Sequence, residues 1–297
     1  MNNYFELKID INPDMEEIVS DIFFTNFDCE GVVLEEETYK DLEMTSTTRG
    51  KLKVFLTSYP KNINEILSTE RELMKSRGLS DDELGSWEIT LDEKENQDWS
   101  KKWKEKWTVT HVTDNIAVVP SWLKYEPKEN EIAITLDPGC AFGTGTHQTT
   151  QLCMKALEKY FKKGNTMADI GTGSGILAIL AKKLGGDKVF GCDIDETVID
   201  VCKDNARING VSVTFELNTA DKITEKYDFV CANILHFVLA EIMGDLKNIT
   251  KQNGLISLSG ILDEKKDMVL DAIKRENLKI IDTLMQDQWI SFVVQNS

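Results

Sequence analysis

Met167-Ala168-Asp169-Ile170-Gly171-Thr172-Gly173-Ser174-Gly175 decides the fold of this chain. An apolar strand pattern closes on an acid, runs directly into three glycines, and gives way to a helical pattern at Gly175. Glycines at such a turn let the backbone approach a ligand closely, and the N–H groups at the start of the following helix are unsatisfied and face it. The spacing sharpens the reading. A nucleotide dehydrogenase requires G-x-G-x-x-G, which places glycine at position 176, where Ile176 stands. The pattern present is D-x-G-x-G-x-G, and an acid opening the turn works against a pyrophosphate.

Working outward, strands and helices alternate from about residue 148. The patterns predict helices at 150–161, from Gly175, and at 195–208, 236–248 and 263–276. Strands are predicted at 166–170, 188–192, 211–216, 227–232, 254–259, 278–284 and 289–295, with two more around 116–119 and 132–136 leading in. Alternation of this kind implies an α/β fold with a doubly wound, mostly parallel, Rossmann-like sheet. The short polar turn Gln286-Asp287-Gln288 makes the last two strands a C-terminal antiparallel hairpin. Methyltransferases have that ending and dehydrogenase-type domains usually lack it. D-x-G-x-G-x-G is also the form associated with S-adenosylmethionine sites, where Gly171 and Gly173 would line the ligand and Asp169 would face the cationic amino group of its methionine moiety.

Three further stretches carry candidate chemistry. Val189-Phe190-Gly191-Cys192-Asp193-Ile194-Asp195 is a buried strand ending in acid about twenty residues after the glycine turn, where a carboxylate accepts from both ribose hydroxyls in doubly wound nucleotide sites. Asp193 is the candidate, and Asp195 reads as the cap of the next helix. The loop from Leu136 to Thr150 offers a lid made of Phe142, Gly143, Thr144, Gly145, Thr146 and His147. Thr146, Thr149 and Thr150 are candidate caps for the helix that follows, and His147 reads as a structural hydrogen-bonding group in preference to a base. Tyr227-Asp228-Phe229-Val230-Cys231-Ala232-Asn233 is a buried strand ending in an amide. Asn233 either orients a nucleophilic amine or caps the helix at 236–248.

The N-terminal part reads differently. Strands at 4–11, 29–35, 51–57 and 87–91 and helices at 13–27 and 62–77 follow a β-α-β-β-α-β order, that of a small ferredoxin-like α+β domain over 1–95. It holds no histidine and no glycine-rich phosphate loop. Trp99, Trp103 and Trp107 lie four apart and predict a linker helix over 96–112 with its indoles on one face. The remainder, 113–297, is the ligand-binding domain.

The chain has 297 residues and a formal net charge of -17. So acidic a surface repels phosphate backbones, so direct nucleic-acid binding is not expected, and it suits a basic protein partner; acidity for solubility alone is the alternative. The six cysteines include no C-x-x-C pair, and with three histidines no metal site is expected. Neither a signal-type core nor an apolar run long enough to span a bilayer is present, which points to the cytoplasm.

Together, the strings DPGCAFGTGTH, DIGTGSG, GCDID, ANIL and LSGIL resemble, in order and spacing, the PrmA-type methyltransferases. Those enzymes modify the eleventh protein of the large ribosomal subunit. The resemblance implies S-adenosylmethionine as methyl donor, lysine side chains or an N-terminal amine as acceptors, a basic ribosomal protein as partner, and a monomeric enzyme. It also implies that 1–95 recognises the substrate and that Thr150, Gly171, Asp193 and Asn233 contact the cofactor. The sequence departs from the family's usual pattern at Gln148 and at His236-Phe237-Val238. Rival readings are methylation of nucleic acid or glutamine, which often shows Asn-Pro-Pro-aromatic where Asn233-Ile234-Leu235-His236 stands here, and a non-catalytic ribosome-assembly factor.

Overall fold

In a computed structural model describing residues 4–37, 49–94, 107–137 and 145–297, the chain divides into two compact units, with the boundary between Trp107 and Thr108. In the first, β1 (Tyr4–Ile11), β2 (Cys29–Glu37), β3 (Arg49–Leu56) and β4 (Ile89–Lys94) form one antiparallel sheet in the order β2-β3-β1-β4. The helices are α1 (Glu16–Asn26), α2 (Ile63–Ser76) and the short α3 (Asp81–Leu84). Alternation along β1 sends Leu7, Ile9 and Ile11 into the core, opposite Val54, Leu52 and Gly50 of β3. Asn12 accepts from the Asp14 amide and Pro13 opens the turn that leads into α1.

Two sequence expectations are corrected here. Trp87 was expected inside the last strand of this unit, but it lies at φ 56, with its amide bonded to the Asp10 carbonyl and its buried indole donating to the Leu84 carbonyl. The strand therefore starts at Ile89. Of the expected linker helix at 96–112, residues 96–106, including Trp99 and Trp103, lie outside the described residues. The rest is not helical: 107–109 are irregular and β5 (Thr110–Thr113) is a strand. Its Thr-His-Val-Thr sequence is rich in β-branched residues and pairs antiparallel with β6 (Ile116–Pro120), which outweighs the helical spacing of the tryptophans.

In the second unit, β5, β6 and β7 (Ile132–Leu136) form a small sheet beside a seven-stranded one. The latter comprises β8 (Met167–Ile170), β9 (Val189–Asp193), β10 (Thr214–Leu217), β11 (Tyr227–Asn233), β12 (Thr250–Leu262), β13 (Lys279–Gln286) and β14 (Trp289–Gln295), in the order β10-β9-β8-β11-β12-β14-β13. The first five run parallel, and β14 is inserted antiparallel between β12 and β13, as the closing hairpin predicts. The helices are α4 (Gln148–Tyr160), α5 (Ile176–Lys183), α6 (Glu196–Ile208), α7 (His236–Asn248) and α8 (Lys266–Arg275).

The pleat divides the interior into two layers. Met167, Phe229 and Cys231 join the cluster with α4, α5 and α6, whereas Ala168, Val230 and Ala232 join the cluster with α7 and α8. Strand order reverses direction beside β8, so the C-terminal edges of β8, β9 and β11 border the crevice where open α/β sheets bind ligands. Among the described residues no helix is long and apolar enough to cross a membrane, and no cluster of His, Cys, Asp or Glu could hold a metal.

Phe229 is fully buried at the centre of this sheet and meets the Phe161 ring edge-on at 5.9 Å. Phe229→Ala is expected to cost about 3–5 kcal/mol of stability. Urea denaturation checks this; a loss below about 1 kcal/mol would mean the central sheet is not packed as described.

Candidate functional site

The turn after β8 leans on the end of β9. The Gly171 and Thr172 amides both donate to the Cys192 carbonyl, at 2.9 Å each, and the Gly173 amide donates to Asp193 Oδ2 at 3.0 Å. Such contacts need a left-handed backbone, with Gly171, Gly173 and Gly175 at φ 70, 49 and 81. Space is also short: a Cβ on Gly171 would sit 2.5 Å from Ile234 Cγ2. Thr172 closes the turn by donating its hydroxyl to Asp169 Oδ2 at 2.8 Å.

The Asp193 carboxylate ends β9 with both oxygens in use, since Oδ1 accepts from the Ile194 and Asp195 amides at 2.8 and 3.2 Å. Oδ1 is filled by these two donors, whereas Oδ2, with the Gly173 amide alone, keeps a lone pair for a further donor. Burial raises its pKa, and the Gly173 amide works in the opposite direction. Asp195 caps α6 by accepting from the Thr197 amide at 2.8 Å, the role its position predicted. Asp169 is buried and its pKa is pushed up to about 7 by burial, with the Asp193 charge adding to the rise and the Thr172 hydroxyl opposing it. Its Oδ1 is buried without a hydrogen-bond partner. Two acids held close in a dry site leave negative charge that a cationic ligand would neutralise.

At the end of β11, Asn233 donates from Nδ2 to Thr150 Oγ1 at 3.2 Å, which joins β11 to the first turn of α4. Its Oδ1 is buried and unpartnered. The capping alternative for Asn233 is not realised: α7 starts from Leu235 with no side-chain cap. The cap of α4 also differs from expectation, because His147 takes that place and none of the threonines does. His147 is extended (φ -68, ψ 142) and its Nδ1 accepts from the Thr149 amide, 2.8 Å from the Thr149 hydroxyl. Its ring meets Trp289 edge-on at 4.9 Å, and burial lowers its pKa to about 4, so it is neutral at physiological pH. Thr149 and Thr150 lie inside the helix, and Thr146 is exposed. Of the expected lid residues, Gly145 packs against Val118 and Ile176, whereas Phe142, Gly143 and Thr144 lie outside the described residues. Gln148, a departure from the resembled pattern, reaches Asp287 in the closing hairpin at 3.3 Å.

Sequence reasoning missed other groups around these strand ends. Asn218 follows β10 and donates from its amide to the Asp193 carbonyl at 3.0 Å; the next residue, Thr219, has its hydroxyl oxygen buried without a partner. Ile194, beside the carboxylate, is 79% exposed and offers an apolar face next to Asp193. Trp289 leaves its Nε1 buried and unpartnered beside His147. Nothing in the local sequence marks these residues, because exposure of Ile194 and burial of Thr219 follow only from how neighbouring strands end.

The pattern of the ribosomal protein L11 methyltransferases (PrmA) matches residues 3–297. The chain belongs to that family. The L11 methyltransferase of Dictyoglomus turgidum is 36% identical over 304 aligned positions, covering 99% of each chain. That of Caldicellulosiruptor saccharolyticus is 33% identical, covering 98% of this chain and 99% of its own. The crystal structure of the ribosomal protein L11 methylase from Lactobacillus delbrueckii subsp. bulgaricus is 33% identical, with a TM-score of 0.61 over 63% of this chain and 98% of that one. The family's members are S-adenosylmethionine-dependent methyltransferases. The groups of this L11 methyltransferase family member fit that ligand: a carboxylate whose Oδ2 can accept one further donor, a buried acid with an orphaned oxygen, and an exposed apolar side chain.

Replacing Asp193 by Ala is expected to weaken S-adenosylmethionine binding by about 1.5–3 kcal/mol, with Asn in between because it keeps one acceptor oxygen. Isothermal titration reads the loss and circular dichroism checks that the fold persists. An unchanged affinity would remove Asp193 from the site.

Proposed function

We propose that this chain methylates amino groups of ribosomal protein L11, lysine side chains or the N-terminal amine, with Asn233 orienting the amine. The observation that carries the proposal is the buried, unpartnered Asn233 Oδ1, whose direction is set by the bond from Nδ2 to Thr150. S-adenosylmethionine supplies an electrophilic methyl group on a sulfonium when it is bound. Gly171, Gly173 and Asp193 are the residues proposed to hold its nucleoside, with Thr150 and Asp169 toward its amino-acid end.

The chemistry left to the protein is selection of the neutral amine. A free lysine has a pKa near 10.4, so at pH 7 its neutral fraction is below about one in a thousand. Reaching that form costs roughly 4–5 kcal/mol. Asn233 Oδ1 accepts an N–H bond without supplying charge, so it directs the nitrogen lone pair and does not favour the ammonium form. Holding the nucleophile in line is then the chief contribution of the site. His147 fits this division of labour, since its Nδ1 is engaged with Thr149 and its basicity is low.

The N-terminal unit is proposed to recognise L11, because the proposed cofactor residues all lie beyond Trp107. The net charge of -17 suits a basic ribosomal protein, and the cytoplasm is the proposed place of action.

Wild-type turnover is expected to rise with pH as the acceptor amine loses its proton. Asn233→Asp puts a carboxylate against that amine, which stabilises the ammonium form and raises its pKa, so the profile should move to higher pH. Asn233→Ala should lower kcat more than it raises KM for L11. Steady-state rates across about pH 6.5–9.5 decide the matter. If wild type and Asn233→Asp gave the same profile, Asn233 would not be in contact with the reacting amine.

A further inference from the structure

The residue that follows Asn233 is clamped between two glycines, one in the turn after β8 and one in β12. From one side comes the turn after β8, where a Cβ on Gly171 would lie 2.5 Å from Ile234 Cγ2. From the other side comes β12. Its register with β11 runs through Asn233 opposite Ser259, and its register with β14 slips between Leu258 and Ile261, leaving a bulge at Ser259-Gly260. Gly260 adopts φ 83 there, and a Cβ on it would fall on the Ile234 carbonyl oxygen and 2.8 Å from the carbonyl carbon. Ser259 fixes the bulge by donating its hydroxyl to the Thr149 carbonyl at 3.0 Å, one residue before the threonine that holds Asn233.

The two contacts differ in kind. At Gly171 the neighbour is a branch methyl of the Ile234 side chain, which a smaller residue would remove. At Gly260 it is backbone, so an added methyl must displace the peptide that follows Asn233. We infer that Gly260 is a positioning residue for methyl transfer: the glycine bulge of β12 sets where the Asn233–Ile234 segment presents its acceptors. This rests on the reading of Asn233 as the amine-orienting group. Displacement of such a group by about 1 Å costs on the order of 10²-fold in rate, and the clash falls on the peptide that follows Asn233, not on Gly173 or Asp193.

The experiment compares full-length Gly260→Ala with Gly210→Ala. Gly210 has φ 65 and nothing within 4 Å of an added Cβ, so its variant carries the cost of the left-handed backbone without a clash. Measured for each are kcat on L11, the dissociation constant for S-adenosylmethionine, and Tm. The expectation is that Gly260→Ala loses on the order of 10²-fold in kcat, retains cofactor affinity, and is not slowed much further by Asn233→Ala, because both changes remove the same contact. Gly210→Ala should keep wild-type kcat. If Gly260→Ala turned over like Gly210→Ala while Asn233→Ala was slow, the inference would be overturned and the role of Asn233 would stand. A fast Asn233→Ala would overturn both. Should Gly260→Ala not fold, Ser259→Ala loosens the same bulge with no clash. A several-fold fall in kcat at unchanged cofactor affinity then supports the inference, and an unchanged kcat overturns it.

Discussion

The bond from the Gly173 amide to the Asp193 carboxylate joins the turn after β8 to the end of β9, and the geometry of the ligand edge follows from it. A charged acceptor makes this bond stronger than one between neutral groups. It can form only because Gly171 and Gly173 take left-handed backbone, and that conformation brings the turn close beneath Ile234. Position at β11 is therefore tied to position at β8, and position at β8 to the acid on β9. Thr150 completes the chain of contacts by holding the Asn233 amide from α4. Three parallel strands, β9, β8 and β11, thus end in one connected polar surface.

Burial gives this surface its electrical character. Desolvation raises the pKa of both Asp169 and Asp193, in Asp169 to about 7. Carboxylates so placed are unfavourable as lone anions and favourable against a cation or hydroxyl donors. Such a site is suited to a cationic nucleoside carrying an amino acid and ill suited to a diphosphate, in agreement with the acid that opens the glycine turn. The orphaned oxygens of Asp169, Asn233 and Thr219 gather around the same strand ends, whereas most buried polar atoms in proteins have partners.

How much of this was legible in the sequence depended on distance along the chain. The glycine turn, the acid ending β9 and the amide ending β11 are local signals, and strand alternation with a closing hairpin was sufficient for the fold of the second unit. Three threonines are the local cap signal around the start of α4, but an extended histidine with a ring acceptor does the work that hydroxyls usually do. Regular tryptophan spacing hid β5, whose strand character comes from pairing with β6. The apolar pattern of β12 spans only 254–259 because its polar opening, Thr250-Lys251-Gln252-Asn253, and its glycine bulge interrupt it, yet pairing extends the strand from Thr250 to Leu262. Contacts such as Asn233 to Thr150 and Gly260 to Ile234 join residues far apart in sequence, and no local pattern encodes them.

Methylation of L11 amines is tested most directly by mass spectrometry of the substrate itself. Purified L11 would be incubated with the full-length enzyme and S-adenosylmethionine carrying a deuterated methyl group, then fragmented intact to locate the label. The account predicts labelled methyl groups on nitrogen at lysine side chains or the N-terminus. Label on glutamine or on no residue of L11, with the enzyme shown to bind S-adenosylmethionine in the same sample, would contradict it.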